Sequence, residues 1–333
     1  LDMDPDDLVK LSSNENPHGP SPAAVEAIRE AAPTVDTYPK AVHTDLIDDL
    51  AAVWGLAPEQ VWLSAGGDGA LDYLARAFLD RDDRVLVPEP GFAYYEMSAR
   101  YRDAAVDTYP LEKADGFAQT PDAVLDNYDG HRIVYVTTPH NPTGSEMSLG
   151  DIETLAAETD EQTLVLVDEA YGEFTDAPSA RTLLDDREDI AVLRTFSKAY
   201  GLAGLRLGYA LVPSAWGDAY ERINTPFAVN SLACRAGMAA LEDDDHVQKT
   251  VETARWAREY MHEHLDARTW ESGGNFVLVA VGNAERVAAA AQREGVIVRD
   301  CSSFGLPECI RITCGTREET RRAVETINGV IDR

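Results

Sequence analysis

The chain has 333 residues, with 29 Lys and Arg against 59 Asp and Glu, a formal charge of −30. At ~150 residues per domain this length corresponds to about two domains, and an apolar content of 44% excludes a disordered acidic tail. A surface this acidic repels phosphodiester backbones and anionic lipid, which argues against nucleic-acid and membrane partners.

The opening Leu1-Asp2-Met3-Asp4 lacks a basic-then-apolar leader, and no stretch approaches ~18 uninterrupted apolar residues. The expectation is a soluble, cytoplasmic protein, with some residues removed ahead of Leu1. Residues 1–20 carry little periodicity. Ser21-Pro22 then reads as an N-cap and first-turn proline before a helix over 23–31. A strand is expected over 61–65 and a helix over 70–79, where Leu71, Leu74, Ala75 and Phe78 recur at helical spacing. Further strands are expected over 84–87, 132–137, 163–167, 191–195 and 207–212. Apolar runs alternating with amphipathic segments predict an α/β fold, a mostly parallel sheet covered by helices. Beyond Leu241 a long helix (246–265), an apolar segment (275–281), a helix near 284–294 and a strand at 310–313 suggest a smaller α+β domain built from both termini. The expected division is 1–37 for the N-terminal arm, 38–240 for the large domain and 241–333 for the small one.

Cys234, Cys301, Cys309 and Cys314 form no C-x-x-C pair and have no His at zinc spacing, so no metal site is expected and they read as small buried hydrophobes. Only five lysines occur, at positions 10, 40, 113, 198 and 249. Excess carboxylate with so few lysines fits a protein kept soluble in high salt.

Lys198 stands in Arg194-Thr195-Phe196-Ser197-Lys198-Ala199-Tyr200-Gly201, followed by Leu202-Ala203-Gly204-Leu205-Arg206. A desolvated lysine beside cationic groups can attack a carbonyl as the free amine, and nearby hydroxyls with Arg206 suit a phosphate. A surface loop with a solvated lysine is the alternative. Asp168-Glu169-Ala170-Tyr171 ends a strand, at the edge where open α/β sheets bind ligands, although Asp is also a common helix cap. Asn141 lies in Pro139-His140-Asn141-Pro142-Thr143-Gly144, which holds its amide at the same edge or is simply a turn. Ala65-Gly66-Gly67-Asp68-Gly69 offers a helix start and close backbone approach to a phosphate, a weak signal alone.

Together, a Schiff-base lysine, a carboxylate for a ring nitrogen, a phenol and an amide for a ring hydroxyl, and a glycine-rich phosphate cup describe a pyridoxal 5′-phosphate site. The chain resembles the fold type I aminotransferases, and among them the histidinol-phosphate aminotransferase family. The likeness rests on Leu11-Ser12-Ser13-Asn14-Glu15-Asn16-Pro17, Gly19-Pro20-Ser21-Pro22, the Tyr38-Pro39 pair, the run from Arg194 to Arg206, and Arg311-Ile312-Thr313-Cys314-Gly315-Thr316-Arg317-Glu318-Glu319. It spans essentially the whole chain.

The resemblance implies that Lys198 binds the cofactor and then serves as base. It implies that Asp168 pairs with the ring nitrogen, and Tyr171 and Asn141 with the ring oxygen. Gly66, Gly67, Asp68, Thr195, Ser197 and Arg206 would surround the cofactor phosphate, and Phe92 would stack on the ring. Arg311 would take a substrate carboxylate and Arg299 a distal phosphate, with Asn14 and His18 also reaching substrate. Tyr38 would reach the cofactor phosphate of a neighbouring subunit in a homodimer. The chain departs from the family pattern at Gly69, usually Glu, and at His18, often Tyr. The implied reaction is transamination between L-histidinol phosphate and 2-oxoglutarate or glutamate. Threonine-phosphate decarboxylation and aromatic amino acid transamination are alternatives on the same fold, and a non-catalytic binding module is the reading from another class.

Overall fold

Residues 7–331 are described by the structure, a computed structural model. Among the described residues eleven strands are defined: β1 (Val9–Leu11), β2 (Val61–Ser64), β3 (Arg84–Glu89), β4 (Ala105–Pro110), β5 (Ile133–Thr137), β6 (Leu164–Asp168), β7 (Ile190–Thr195), β8 (Gly208–Leu211), β9 (Phe276–Ala280), β10 (Val296–Asp300) and β11 (Cys309–Thr313). They form two sheets. Seven strands in the order β2-β8-β7-β6-β5-β3-β4 build the larger sheet, parallel throughout except at β8, which runs antiparallel to β2 and β7. Every residue of β5, β6 and β7 is buried, as expected for strands covered on both faces.

The helices follow from local signals. In α1 (Pro22–Ala31), the Ser21 side chain accepts from the Ala24 N–H, and Pro22 sits where no helical donor is needed. Helix α2 (Thr44–Trp54) ends on Gly55 in the left-handed region, at φ 63°. Helix α3 (Gly66–Phe78) buries Ala70, Leu71, Leu74 and Ala75 on one face of the large sheet, and α4 (Tyr94–Arg100) buries Tyr95 and Ala99 beside it. On the other sheet face, Leu46, Leu50, Phe196 and Leu207 belong to a second apolar cluster.

The smaller sheet has the order β1-β10-β11-β9. Strand β1 lies parallel to β10, although the two are separated by almost the entire chain. Strands β10, β11 and β9 are antiparallel. Helices Asp244–His264, Ala284–Arg293 and Arg317–Ile331 contribute buried residues to a third cluster around this sheet.

Several expectations are corrected. Residues 9–11, taken as aperiodic, are an edge strand. The glycines of 66–69 are the first turn of α3 rather than a loop before a helix at 70. Strand β4 and the helix Arg317–Ile331 had no counterpart in the sequence reading. All four cysteines are buried and unpaired, with burial pushing the thiols up to about 12, or about 11 for Cys309. Among the described residues no helix is long and apolar enough to cross a membrane.

Candidate active site

Because β5, β6 and β7 are parallel and in register, their C-terminal ends reach one edge together, with Thr137 opposite Asp168 and Asp168 opposite Leu193. A cavity of about 360 Å³ opens there, between this edge, the start of α3 and the smaller sheet. It brings together Asn14, Gly67, Asp68, Phe92, Asn141, Asp168, Tyr171, Thr195, Ser197, Lys198, Arg206, Arg299 and Arg311. Residues spread over 298 positions of sequence thus meet in one place.

At the cavity floor Asp168 is buried. Its Oδ2 accepts from the Tyr95 hydroxyl at 2.6 Å and its Oδ1 from the Ala170 N–H at 2.9 Å. Burial pushes its pKa up to about 6, with those two hydrogen bonds acting in the opposite direction. The same burial, followed by the Asp168 charge, holds Tyr95 well above the usual phenol range, so Tyr95 is a neutral donor.

Lys198 Nζ donates to the Ser13 carbonyl at 3.2 Å and stands 5.6 Å from the Tyr171 ring centroid. The Tyr171 hydroxyl accepts from Asn14 Nδ2 at 2.9 Å. Asn14 is buried with φ 55°, anchored by its N–H on Thr313 Oγ1 at 2.9 Å.

One end of the cavity gathers hydroxyls and a guanidinium, a donor set suited to an anion. Thr195 and Ser197 hydroxyls lie 3.0 Å apart, and the Arg206 guanidinium reaches toward Ser197 at 3.5 Å and pairs with Asp68 at 2.9 Å. The N-terminal turn of α3 adds unpaired N–H groups and the positive end of a helix dipole. Gly66, at φ +80°, does not line the cavity. A Cβ there would lie 2.5 Å from Arg206 Nη2, so the missing side chain makes room for the guanidinium.

The opposite wall carries two more cations. Arg299 on β10 and Arg311 on β11 are direct cross-strand partners. Arg311 is almost fully buried, donates to the Asn141 side-chain oxygen and to the Ser12 carbonyl, and leaves its buried Nε without a partner. Burial lowers its pKa, as does the facing Arg299. The Phe304 ring lies 5.5 Å from one guanidinium carbon and 5.9 Å from the other. Like charges held opposite each other are destabilising, and an anion placed between them would relieve that repulsion.

Besides Gly66, two other expected residues do not line the cavity. His18 is turned away by the Asn16–Gly19 turn, and its Nε2 meets Thr253 Oγ1 at 2.8 Å on the helix Asp244–His264. In the single chain its side chain therefore faces that helix rather than the cavity. Tyr38 is 84% exposed and packs on Phe227, itself 47% exposed, with ring centroids 5.3 Å apart. Residues given no site role in the sequence also line the cavity, among them Ser13, Tyr95, Thr137 and Phe304. Tyr95 alone had a usable signal, a phenol three residues after Phe92, and the two rings lie 5.5 Å apart at the start of α4.

Pyridoxal phosphate fits this donor set. A flat ring has Phe92 at the wall, a buried acid of raised pKa to share a proton with a ring nitrogen, and a phenol and amide for a ring oxygen. A hydroxyl, guanidinium and helix-end cluster stands where its phosphate would lie.

The aminotransferase class I and II family model matches residues 6–327. The chain is 68% identical over 331 residues to the histidinol-phosphate aminotransferase of Natronomonas pharaonis, covering 99% of this chain and 93% of that protein. It is 67% identical over 332 residues to that of Haloarcula marismortui, covering 100% and 92%. Among solved structures it is similar to histidinol-phosphate aminotransferase from Sinorhizobium meliloti in complex with pyridoxal-5′-phosphate, at TM-score 0.86 and 27% identity over 97% of this chain and 91% of that one.

Proposed function

The chain belongs to the aminotransferase class I and II family, and from that premise we infer that it exchanges an amino group between L-histidinol phosphate and 2-oxoglutarate. Its cofactor is pyridoxal 5′-phosphate, and in the biosynthetic direction imidazole-acetol phosphate is aminated at the expense of L-glutamate. When bound, the cofactor supplies an electron sink for the bonds at the amino-bearing carbon.

The chain's own residues do the rest. Lys198 Nζ would hold the cofactor covalently and, once released, would carry the proton between the amino-bearing carbon of the donor and the cofactor carbon bound to the same nitrogen. Asp168 would keep a proton on the ring nitrogen, Tyr171 and Asn141 would hold the ring oxygen, and Phe92 would shield the ring. Gly67, Asp68, Thr195, Ser197 and Arg206 surround the cofactor phosphate, with Gly66 giving Arg206 its room.

The observation that carries this reading is one cavity with anion receptors at both ends and an amine between them. The two amino donors differ at the same position: glutamate presents a carboxylate there and histidinol phosphate a phosphate. Arg311 suffices for the first, and Arg311 with its cross-strand neighbour Arg299 can bridge the second. Asn14, held beside Tyr171, closes the side of the pocket.

In this reading two copies form a homodimer. The exposed Tyr38, packed on Phe227, reaches the cofactor phosphate of the partner copy. Residues 38–240 form the large domain, residues 7–37 an N-terminal arm that supplies part of the small one, and residues 241–331 the rest of it. The enzyme works in the cytoplasm.

Adding L-histidinol phosphate to purified holoprotein should bleach the visible band of the lysine-bound cofactor and yield one equivalent of imidazole-acetol phosphate without carbon dioxide. Adding 2-oxoglutarate should then restore the band. Gas release from threonine phosphate, with no response to histidinol phosphate, would establish decarboxylation instead. Faster turnover of aromatic amino acids would reassign the substrate.

A further inference from the structure

Residues of β7 alternate between its faces: Leu193 and Thr195 line the cavity, and Arg194 points away from it. Its guanidinium is buried behind the turn that follows Asp168. Nη1 meets Glu169 Oε2 at 2.9 Å, and Nη2 meets Glu173 Oε1 at 2.6 Å. The Trp54 ring centroid lies 4.8 Å from the guanidinium carbon. Gly172 is packed so tightly against it that an added Cβ would fall 2.0 Å from Nη1.

The two carboxylates bracket the segment that matters. Glu169 immediately follows Asp168, and Glu173 lies two residues beyond Tyr171. Glu169 is further fixed by the Ser179 hydroxyl and the Ala180 N–H, both at 2.7 Å. Arg194 itself is four residues from Lys198 and adjacent to Thr195. One planar fork therefore ties the strand leading to the lysine to both ends of the turn bearing the acid and the phenol. A buried ion cluster contributes little net stability relative to apolar side chains of the same size, whereas its directional bonds fix geometry.

We propose that Arg194 is a positioning residue for the cavity: by holding Glu169 and Glu173 together, it sets where the Asp168 carboxylate and the Tyr171 hydroxyl stand relative to Lys198. This rests on reading those three residues as the cofactor's partners. Arg194 touches neither cofactor nor substrate, so its influence passes through the turn.

The test compares wild-type holoprotein with Glu173→Gln, Gly172→Ala and Arg194→Lys at constant high salt. Three quantities are measured: melting temperature, cofactor Kd, and the pH midpoint of the visible absorption band. Glu173→Gln is isosteric and decides the matter alone if the other two do not fold. The expected result is a roughly tenfold rise in Kd, the size of one lost charge-assisted hydrogen bond, with the midpoint displaced by about half a unit or more. Variants that melt earlier but keep the wild-type Kd and midpoint would reduce Arg194 to a structural role and overturn the proposal. A wild-type protein that forms no visible band with pyridoxal phosphate would instead overturn the cofactor reading on which the proposal rests.

Discussion

Replacing Asp168 by Asn should stabilise the cofactor-free protein while disabling it. The carboxyl is pushed up to about 6, mainly by burial, from a reference value of 3.8. The folded protein therefore retains a proton that the unfolded chain releases between those values. This contribution to stability is fully present below the unfolded pKa and is lost as pH rises through the folded one. A difference of about two units corresponds to about 3 kcal/mol at neutral pH and above. Asparagine has no charge to desolvate, and its hydrogen bonds can be satisfied. Its oxygen can keep the Ala170 N–H, and its amide can donate to the Tyr95 hydroxyl, which has Thr137 Oγ1 as an alternative acceptor at 2.8 Å. Denaturant unfolding of both apoproteins at fixed salt should give Asp168→Asn an advantage of about 2–3 kcal/mol near pH 7.5, vanishing toward pH 4. The difference between the two curves removes the titration of the remaining acidic surface. Equal stabilities at both pH values would refute the reasoning, because burial would then impose no cost on the charge. Amino transfer should fall by about two to three orders of magnitude, the usual consequence of removing a preorganised charge from a reacting system.

Three further outcomes are expected. Arg311→Lys should raise the KM for glutamate and histidinol phosphate roughly tenfold to a hundredfold, since a point charge cannot replace a two-pronged guanidinium; steady-state kinetics that leave KM unchanged would remove Arg311 from substrate binding. Gly66→Ala combines a left-handed backbone with a Cβ 2.5 Å from Arg206 Nη2, so cofactor Kd should rise at least about tenfold, as measured by titrating apoprotein fluorescence. Tyr38→Ala and Lys198→Ala should each be inactive or nearly so, yet mixing and reassociating them should recover part of the wild-type activity if one subunit's Tyr38 completes the other's site. No recovery in mixed dimers, with mixing verified by mass spectrometry, would place Tyr38 outside the site.

The central strands were legible because burial on both faces leaves an unbroken apolar run, as in Val134, Tyr135 and Val136 or Val165, Leu166 and Val167. Strand β4 was not. Of its six residues only Tyr109 is buried, because it closes the sheet at an edge. Strand β1 is three residues long and gains its partner from β10, far along the chain. The start of α3 was misplaced for a related reason: Gly66, Gly67 and Gly69 are poor helix formers, and the turn is held by tertiary packing, with Gly67 against Leu193 and Gly69 against Ser64. The lysine, the acid and the anion-binding hydroxyls sit in short contiguous motifs and could be read one motif at a time. The Tyr95–Asp168 bond, the Arg311–Asn141 contact and the Arg194 fork join residues from separate motifs, so only the folded chain reveals them.

The parallel pairing of β1 with β10 also orders events in time. The segment after β1 supplies the Ser12 and Ser13 carbonyls that meet Arg311 and Lys198, and it is pinned where Asn14 meets Thr313, 299 residues away. During synthesis, strands β2 to β8 can assemble from chain already made. The first described strand must instead wait for β10 and β11 before it has anything to join. Contacts this distant in sequence form late and slowly. A ribosome-bound chain ending before residue 296 would therefore carry a formed large sheet with its C-terminal edge open, and the wall bearing Arg299 and Arg311 would be the last piece in place.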